Sequence, residues 1–178
     1  MDLKELELCT LKSGIDFTPV IFGGHQEKSK RAGTENVPAI VGMGKAIEMA
    51  TENIERYNKK LIELRNYTID EVLKEIPNSS VNGDLVSRLP GNVSISIKGI
   101  EAQPLLLMLD MNGICASSGS ACTSGTLNPS HVLRAIGLND ILAKGTLRIS
   151  YGEENTMEDA KKIVSVLKEV VHKLRKMK

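Results

Sequence analysis

With 178 residues, 41% hydrophobic and 25% charged, the chain has the length and composition of one compact soluble domain with its own core. Its 23 basic and 22 acidic residues leave a net charge of +1, which excludes the one-signed field of a nucleic-acid or acidic-membrane binder. An aromatic content of 3% with no Trp excludes base-stacking platforms and requires an aliphatic core.

No stretch approaches the roughly 18 apolar residues of a membrane helix. Three cysteines, an odd number, and a first segment (Met1 to Glu5) without a basic flank or apolar stretch fit a reducing, cytoplasmic setting.

Leu6 to Ile21 mixes short apolar pieces with Gly14 and Pro19 and reads as a strand, a turn and a second extended piece. Residues 23–34 form a polar, glycine-punctuated loop. Pro38 suits a first helical turn, and Ile40, Val41, Ile47, Ile54, Tyr57, Leu61, Leu64, Val72 and Ile76 follow at near-helical spacing, predicting one long helix to about Pro77. After the Pro90-Gly91 turn, Val93, Ile95 and Ile97 alternate with Ser94, Ser96 and Lys98, the period of a half-buried strand.

Glu101 to Asn112, with Pro104 in its first turn and Gly113 behind it, reads as a short buried helix, and Ile114 to Ala116 as a strand. A short helix is expected from Pro129-Ser130 to Gly137, and an alternating strand over Leu147 to Tyr151. Thr156 with Asp159 three residues on resembles a capping box at the head of a final helix whose stripe is Met157, Ala160, Ile163, Val164, Leu167, Val170, Val171 and Leu174. The expected fold class is α/β (α+β), a small mixed sheet packed with helices.

Between the last two of these strands lies Ser117-Ser118-Gly119-Ser120-Ala121-Cys122-Thr123-Ser124-Gly125, which sets one thiol among small polar residues. That composition displays a cysteine instead of packing it, so Cys122 is the candidate nucleophile. Cys9 and Cys115 sit in apolar contexts and are expected to be small buried residues. A metal site at Cys115, Cys122 and His131 lacks a zinc-type spacing and a fourth ligand, so none is expected. The Lys28, Lys30 and Arg31 cluster reads as a solvated loop.

Arg31-Ala32-Gly33-Thr34-Glu35-Asn36-Val37-Pro38, the cysteine loop with the Asn128-Pro129-Ser130-His131-Val132-Leu133-Arg134 segment behind it, and Leu147-Arg148-Ile149-Ser150-Tyr151-Gly152 occur in one order. Together they closely resemble the NifS/IscS-type cysteine desulfurases, enzymes of the class-V aminotransferase group with the pyridoxal-phosphate-dependent transferase fold. The resemblance runs from about Leu6 to the end. It implies residues 1–36 as a remnant of a large domain including the Thr34 loop, 37–77 as the connecting helix, and 78–178 as the small domain carrying Cys122.

By the same resemblance, Cys122 is the catalytic cysteine that takes sulfur from L-cysteine as a persulfide and releases L-alanine. Arg148 grips the substrate carboxylate, a task suited to a planar guanidinium, although a strand-end salt bridge is the alternative. Thr34 matches a threonine that, in the resembled dimers, reaches the phosphate of the pyridoxal phosphate in the neighbouring subunit. From the residues alone Thr34 reads first as a helix cap, while its hydroxyl and the amides ahead of a helix near Pro38 offer an anion site as the second reading.

Two departures accompany the resemblance. The usual Gly-Gly-Gly-Gln-Glu is Gly23-Gly24-His25-Gln26-Glu27 here, so His25 would carry strain of about 1 kcal/mol if that position needs positive φ. The family's Ser-x-His-Lys, whose lysine forms the Schiff base, has no counterpart, since the lone His-Lys pair is His172-Lys173 on the final helix. The resemblance therefore implies the carboxy-terminal part of such an enzyme, with no desulfurase activity and no pyridoxal phosphate bound by this chain alone. The alternative is a non-catalytic interaction or persulfide-accepting module. A sulfur-acceptor or scaffold protein is the implied partner, with homo-oligomerisation or pairing with the missing large domain, for sulfur transfer or iron-sulfur cluster assembly.

Overall fold

A computed structural model describes residues 6–118 and 130–177. In chain order these form α1 (Gln26–Ser29), α2 (Val37–Glu75), β1 (Ser79–Val81), β2 (Asn92–Ile97), α3 (Ala102–Asp110), α4 (His131–Ala135), α5 (Asp140–Lys144), β3 (Thr146–Ser150) and α6 (Met157–Lys176). The chain divides into two compact units, Met1–Ile54 and Glu55–Lys178, with the division inside α2.

In the first unit the strand expected within Leu6 to Ile21 is absent, because short apolar pieces become a strand only where a neighbour pairs with their backbone. His25 escapes the strain foreseen for it, with φ −92° and ψ 21°. The left-handed conformations fall just beyond, at Glu27 (φ 50°), Lys28 (φ 55°) and Ser29 (φ 63°), each costing about 1–2 kcal/mol for a residue with a Cβ. Local bonds hold this turn: Ser29 N–H to the His25 carbonyl at 3.1 Å, Gly33 N–H to Gln26 Oε1 at 3.1 Å, and the His25 ring nitrogen paired with Ser29 Oγ at 3.0 Å.

The second unit holds the core. Its sheet has the order β1-β2-β3, and both pairings are antiparallel, so the sheet is not mixed as expected. β1 returns into β2 through the 82–91 loop, and the described residues between β2 and β3 include the helices α3, α4 and α5, after which β3 runs in the opposite direction to β2. Val93, Ile95, Ile97, Leu147 and Ile149 form one apolar face, which packs with Leu64 and Val72 of α2, Ile76 just beyond it, Leu105 and Leu109 of α3, and Val164, Leu167, Val170 and Val171 of α6. The opposite face carries Ser94, Ser96, Thr146 and Arg148, as period-two alternation requires.

The helix boundaries have clear causes. Thr156 Oγ1 accepts from the Asp159 amide while the Asp159 carboxylate accepts from Thr156 N–H, a capping box closed by Asp. At the other end of α6, Arg175 donates to the Pro77 carbonyl at 2.6 Å, and Lys168 pairs with Glu75 at the end of α2. The expected strand at Ile114 to Ala116 reduces to a single bridge at Ser117.

Thr68 and Tyr151 join α2 to the end of β3. Thr68 spends its one proton on the Leu64 carbonyl at 2.9 Å and so receives the Tyr151 hydroxyl at 2.6 Å. Burial raises the phenol's pKa above its ordinary value. A raised pKa favours the neutral form of the native state, so this stability is complete below the unfolded value of about 10 and is lost as pH rises beyond it. Thermal unfolding of Tyr151→Phe against pH checks this: we expect a loss of about 1 kcal/mol at neutral pH and a shallower alkaline decline than in the parent.

Candidate functional site

β3 places Arg148 on the polar face of the sheet, half-buried between two neighbours. On one side Ser117 N–H donates to the Arg148 carbonyl at 3.0 Å and Arg148 N–H to the Ser117 carbonyl at 2.6 Å. On the other side Arg148 stands opposite Ser94 of β2. The guanidinium has no ion pair or hydrogen bond among the described residues. Among the described residues the strand-end salt bridge is therefore not made, and the donors of this half-buried side chain are uncommitted there. Ser117 also begins the segment that contains Cys122, so the bridge fixes the root of that segment to the arginine strand. Cys122 itself lies outside the described residues.

Beneath Ser94 runs a polar network. Ser96 Oγ donates to Asn82 Oδ1 at 2.9 Å and pairs with Thr146 Oγ1 at 2.8 Å, and Asn82 Nδ2 donates to Ser94 Oγ at 3.1 Å. Asn82, Ser96 and Thr146 are buried and mutually satisfied, so they hold this face in a single arrangement. At its edge Arg88 donates to the Asn82 carbonyl at 3.2 Å, while its Nε and Nη1 are buried without partners among the described residues. Burial first, and then the charge of Arg65, lower the Arg88 pKa. Sequence patterning marked Ser94 and Ser96 only as outward positions. The register that sets Ser94 against Arg148 is a tertiary fact with no local signal.

Thr34 lies ahead of α2, exposed, with no hydrogen-bond partner among the described residues. It is not the cap, because Asn36 Oδ1 accepts from the Ala39 amide at 3.3 Å and so fills that role. In the helix's first turn Val37 N–H is bonded to the Glu35 carbonyl at 3.0 Å, Pro38 has none, and Ala39 is taken by Asn36, so the anion site expected from the amides ahead of the helix rests on Thr34, Glu35 and Asn36.

Cys9 and Cys115 are exposed, contrary to the burial expected of them. Short apolar flanks imply burial only inside a paired strand, and neither segment is one. Cys115 lines a cleft of about 320 Å³ with Tyr151, Asn155, Asp159 and Lys162. The described residues contain no cluster of three His, Cys, Asp or Glu side chains able to hold a metal, and no helix long and apolar enough to cross a membrane. His172-Lys173 is exposed on α6.

Residues 16–163 match the family aminotransferase class-V. The cysteine desulfurase IscS of Methanosarcina thermophila is 47% identical over 167 residues, which are 94% of this chain and 41% of that protein. A cysteine desulfurase of Nostoc sp. is 47% identical over 165 residues, 93% of this chain and 41% of its own length. Among solved structures, a NifS-like protein from Rickettsia africae superposes with a TM-score of 0.77 at 37% identity, covering 89% of this chain and 41% of that one. The chain thus spans about two fifths of the relatives it matches. Class-V aminotransferases of this kind depend on pyridoxal phosphate. The unpaired Thr34 hydroxyl fits one contact to that group's phosphate, and the match over 148 consecutive positions, 16 to 163, places the chain in the class-V aminotransferase family.

Proposed function

We propose that this chain supplies the sulfur-accepting half of a cysteine desulfurase, acting on L-cysteine. The observation that carries this reading is the half-buried Arg148, uncommitted among the described residues and tied through Ser117 to the segment bearing Cys122. When bound, pyridoxal phosphate supplies the electron sink that allows the substrate's carbon–sulfur bond to break.

The residues of this chain perform the remaining tasks. Arg148 holds the substrate carboxylate by charge-assisted bonds. The Cys122 thiolate attacks the substrate sulfur: a sulfur–sulfur bond forms, the carbon–sulfur bond breaks with its electron pair passing to carbon, and protonation there gives alanine. Cys122 retains the sulfur as a persulfide, ready for an acceptor protein. Thr34 donates its hydroxyl to the cofactor phosphate. The lysine that seats the cofactor belongs to a region corresponding to the remaining three fifths of the relatives. The exposed Val37, Ile40, Val41 and Ile47 of α2 offer that region, or a second copy, an apolar surface.

The purified 178-residue chain, given pyridoxal phosphate and L-cysteine, is expected to release no alanine. Robust alanine release by the chain alone would overturn the division of labour.

A further inference from the structure

Resting on the reading of Arg148 as a carboxylate anchor, we infer that Ser94 is a second, specificity-determining contact to the same carboxylate. In an antiparallel ladder a residue's N–H and C=O point to the same side, and those of Arg148 both go to Ser117. Its pairing with Ser94 is therefore the non-hydrogen-bonded kind, in which Cα atoms approach to about 4.5 Å and side chains lie closest on a shared face. The Ser94 carbonyl agrees, since it turns away to accept the Asn82 amide at 2.9 Å.

The direction of the hydrogen bonds then decides the chemistry. An amide nitrogen can only donate, so in the 3.1 Å contact from Asn82 Nδ2 the Ser94 oxygen is the acceptor. Ser94 keeps its proton, for which the described residues offer no acceptor. A guanidinium has donors only and cannot take it. Two donors thus converge on one face, one charged and one neutral, and a carboxylate with two oxygens satisfies both. Asn82, fixed by Ser96, holds the serine oxygen so that its proton turns toward the ligand.

The test is a titration of the whole 178-residue chain, followed by amide NMR, with L-alanine as the carboxylate and L-alaninamide as the control without one. Alanine should shift the Ser94, Arg148 and Ser117 signals saturably, and alaninamide should not. Ser94→Ala should raise the dissociation constant roughly tenfold, the usual range for a hydrogen bond to a charged group. Ser94→Thr, which keeps the hydroxyl and guards against a mere folding defect, should stay within about twofold, and Arg148→Gln should abolish saturation. If Arg148→Gln abolishes binding while Ser94→Ala leaves it unchanged, the Ser94 assignment is overturned and the anchor stands. Absence of any saturable response to alanine in the parent chain overturns both.

Discussion

Cys122→Ser, placed in a chimera that joins this chain to the lysine-bearing region of a desulfurase relative, should lower alanine formation from L-cysteine by about 10⁴-fold or more. A serine hydroxyl is not ionised near neutral pH and is a poor nucleophile toward sulfur, so no persulfide forms and the carbon–sulfur bond has nothing to receive its sulfur. Substrate affinity should change little, because Arg148 and Ser94 stand on β3 and β2 and do not depend on the thiol. The signature is a collapse of kcat with nearly constant substrate binding. Turnover within tenfold of the parent would remove Cys122 from the chemistry.

Leu167→Ala should destabilise the chain by about 2–5 kcal/mol in denaturant unfolding, from lost burial plus the cavity left behind. Leu167 is 0% exposed on the inner face of α6, among the α3 and sheet side chains that make one core with Leu105, Leu109, Ile95 and Ile97. With only 3% aromatics, the core is built mainly from aliphatic chains, and its Tyr151 ring is held in place by the bond to Thr68. Exposed Leu107 on α3 is the control, where the same change should cost no more than about 0.5 kcal/mol. Equal effects at the two positions would contradict the assigned packing.

The long elements were legible because their periodicity accumulates. α2 and α6 each repeat the 3.6-residue pattern over several turns, and Thr156 with Asp159 marks the α6 start chemically. β2 was legible from Val93, Ile95 and Ile97. β1, with Ser79, Ser80 and Val81, and α5, five residues long, carry too few positions to establish a period, and both went unforeseen. The Leu6 to Ile21 and Ile114 to Ala116 segments fail in the opposite sense: their patterns suit strands, but a strand needs a partner that sequence does not supply.

The site divides along the same line. Arg148 and Thr34 were visible through motif order, and the structure adds that neither is committed to a partner among the described residues. Asn36 displaced Thr34 from the capping role because its shorter reach to the Ala39 amide suits the first turn. Ser94 and Asn82 could not be found in advance, since their part depends on strand register and on which atom donates.

The claim that Cys122 carries the transferred sulfur is tested most directly by giving the chimera a single turnover of L-cysteine without an acceptor and measuring the mass of each cysteine peptide. One added sulfur atom is expected on the Cys122 peptide, released by a thiol reductant, with the exposed Cys9 and Cys115 unchanged. An unmodified Cys122 peptide, with the sulfur on Cys9 or Cys115 or on none of the three, would contradict it.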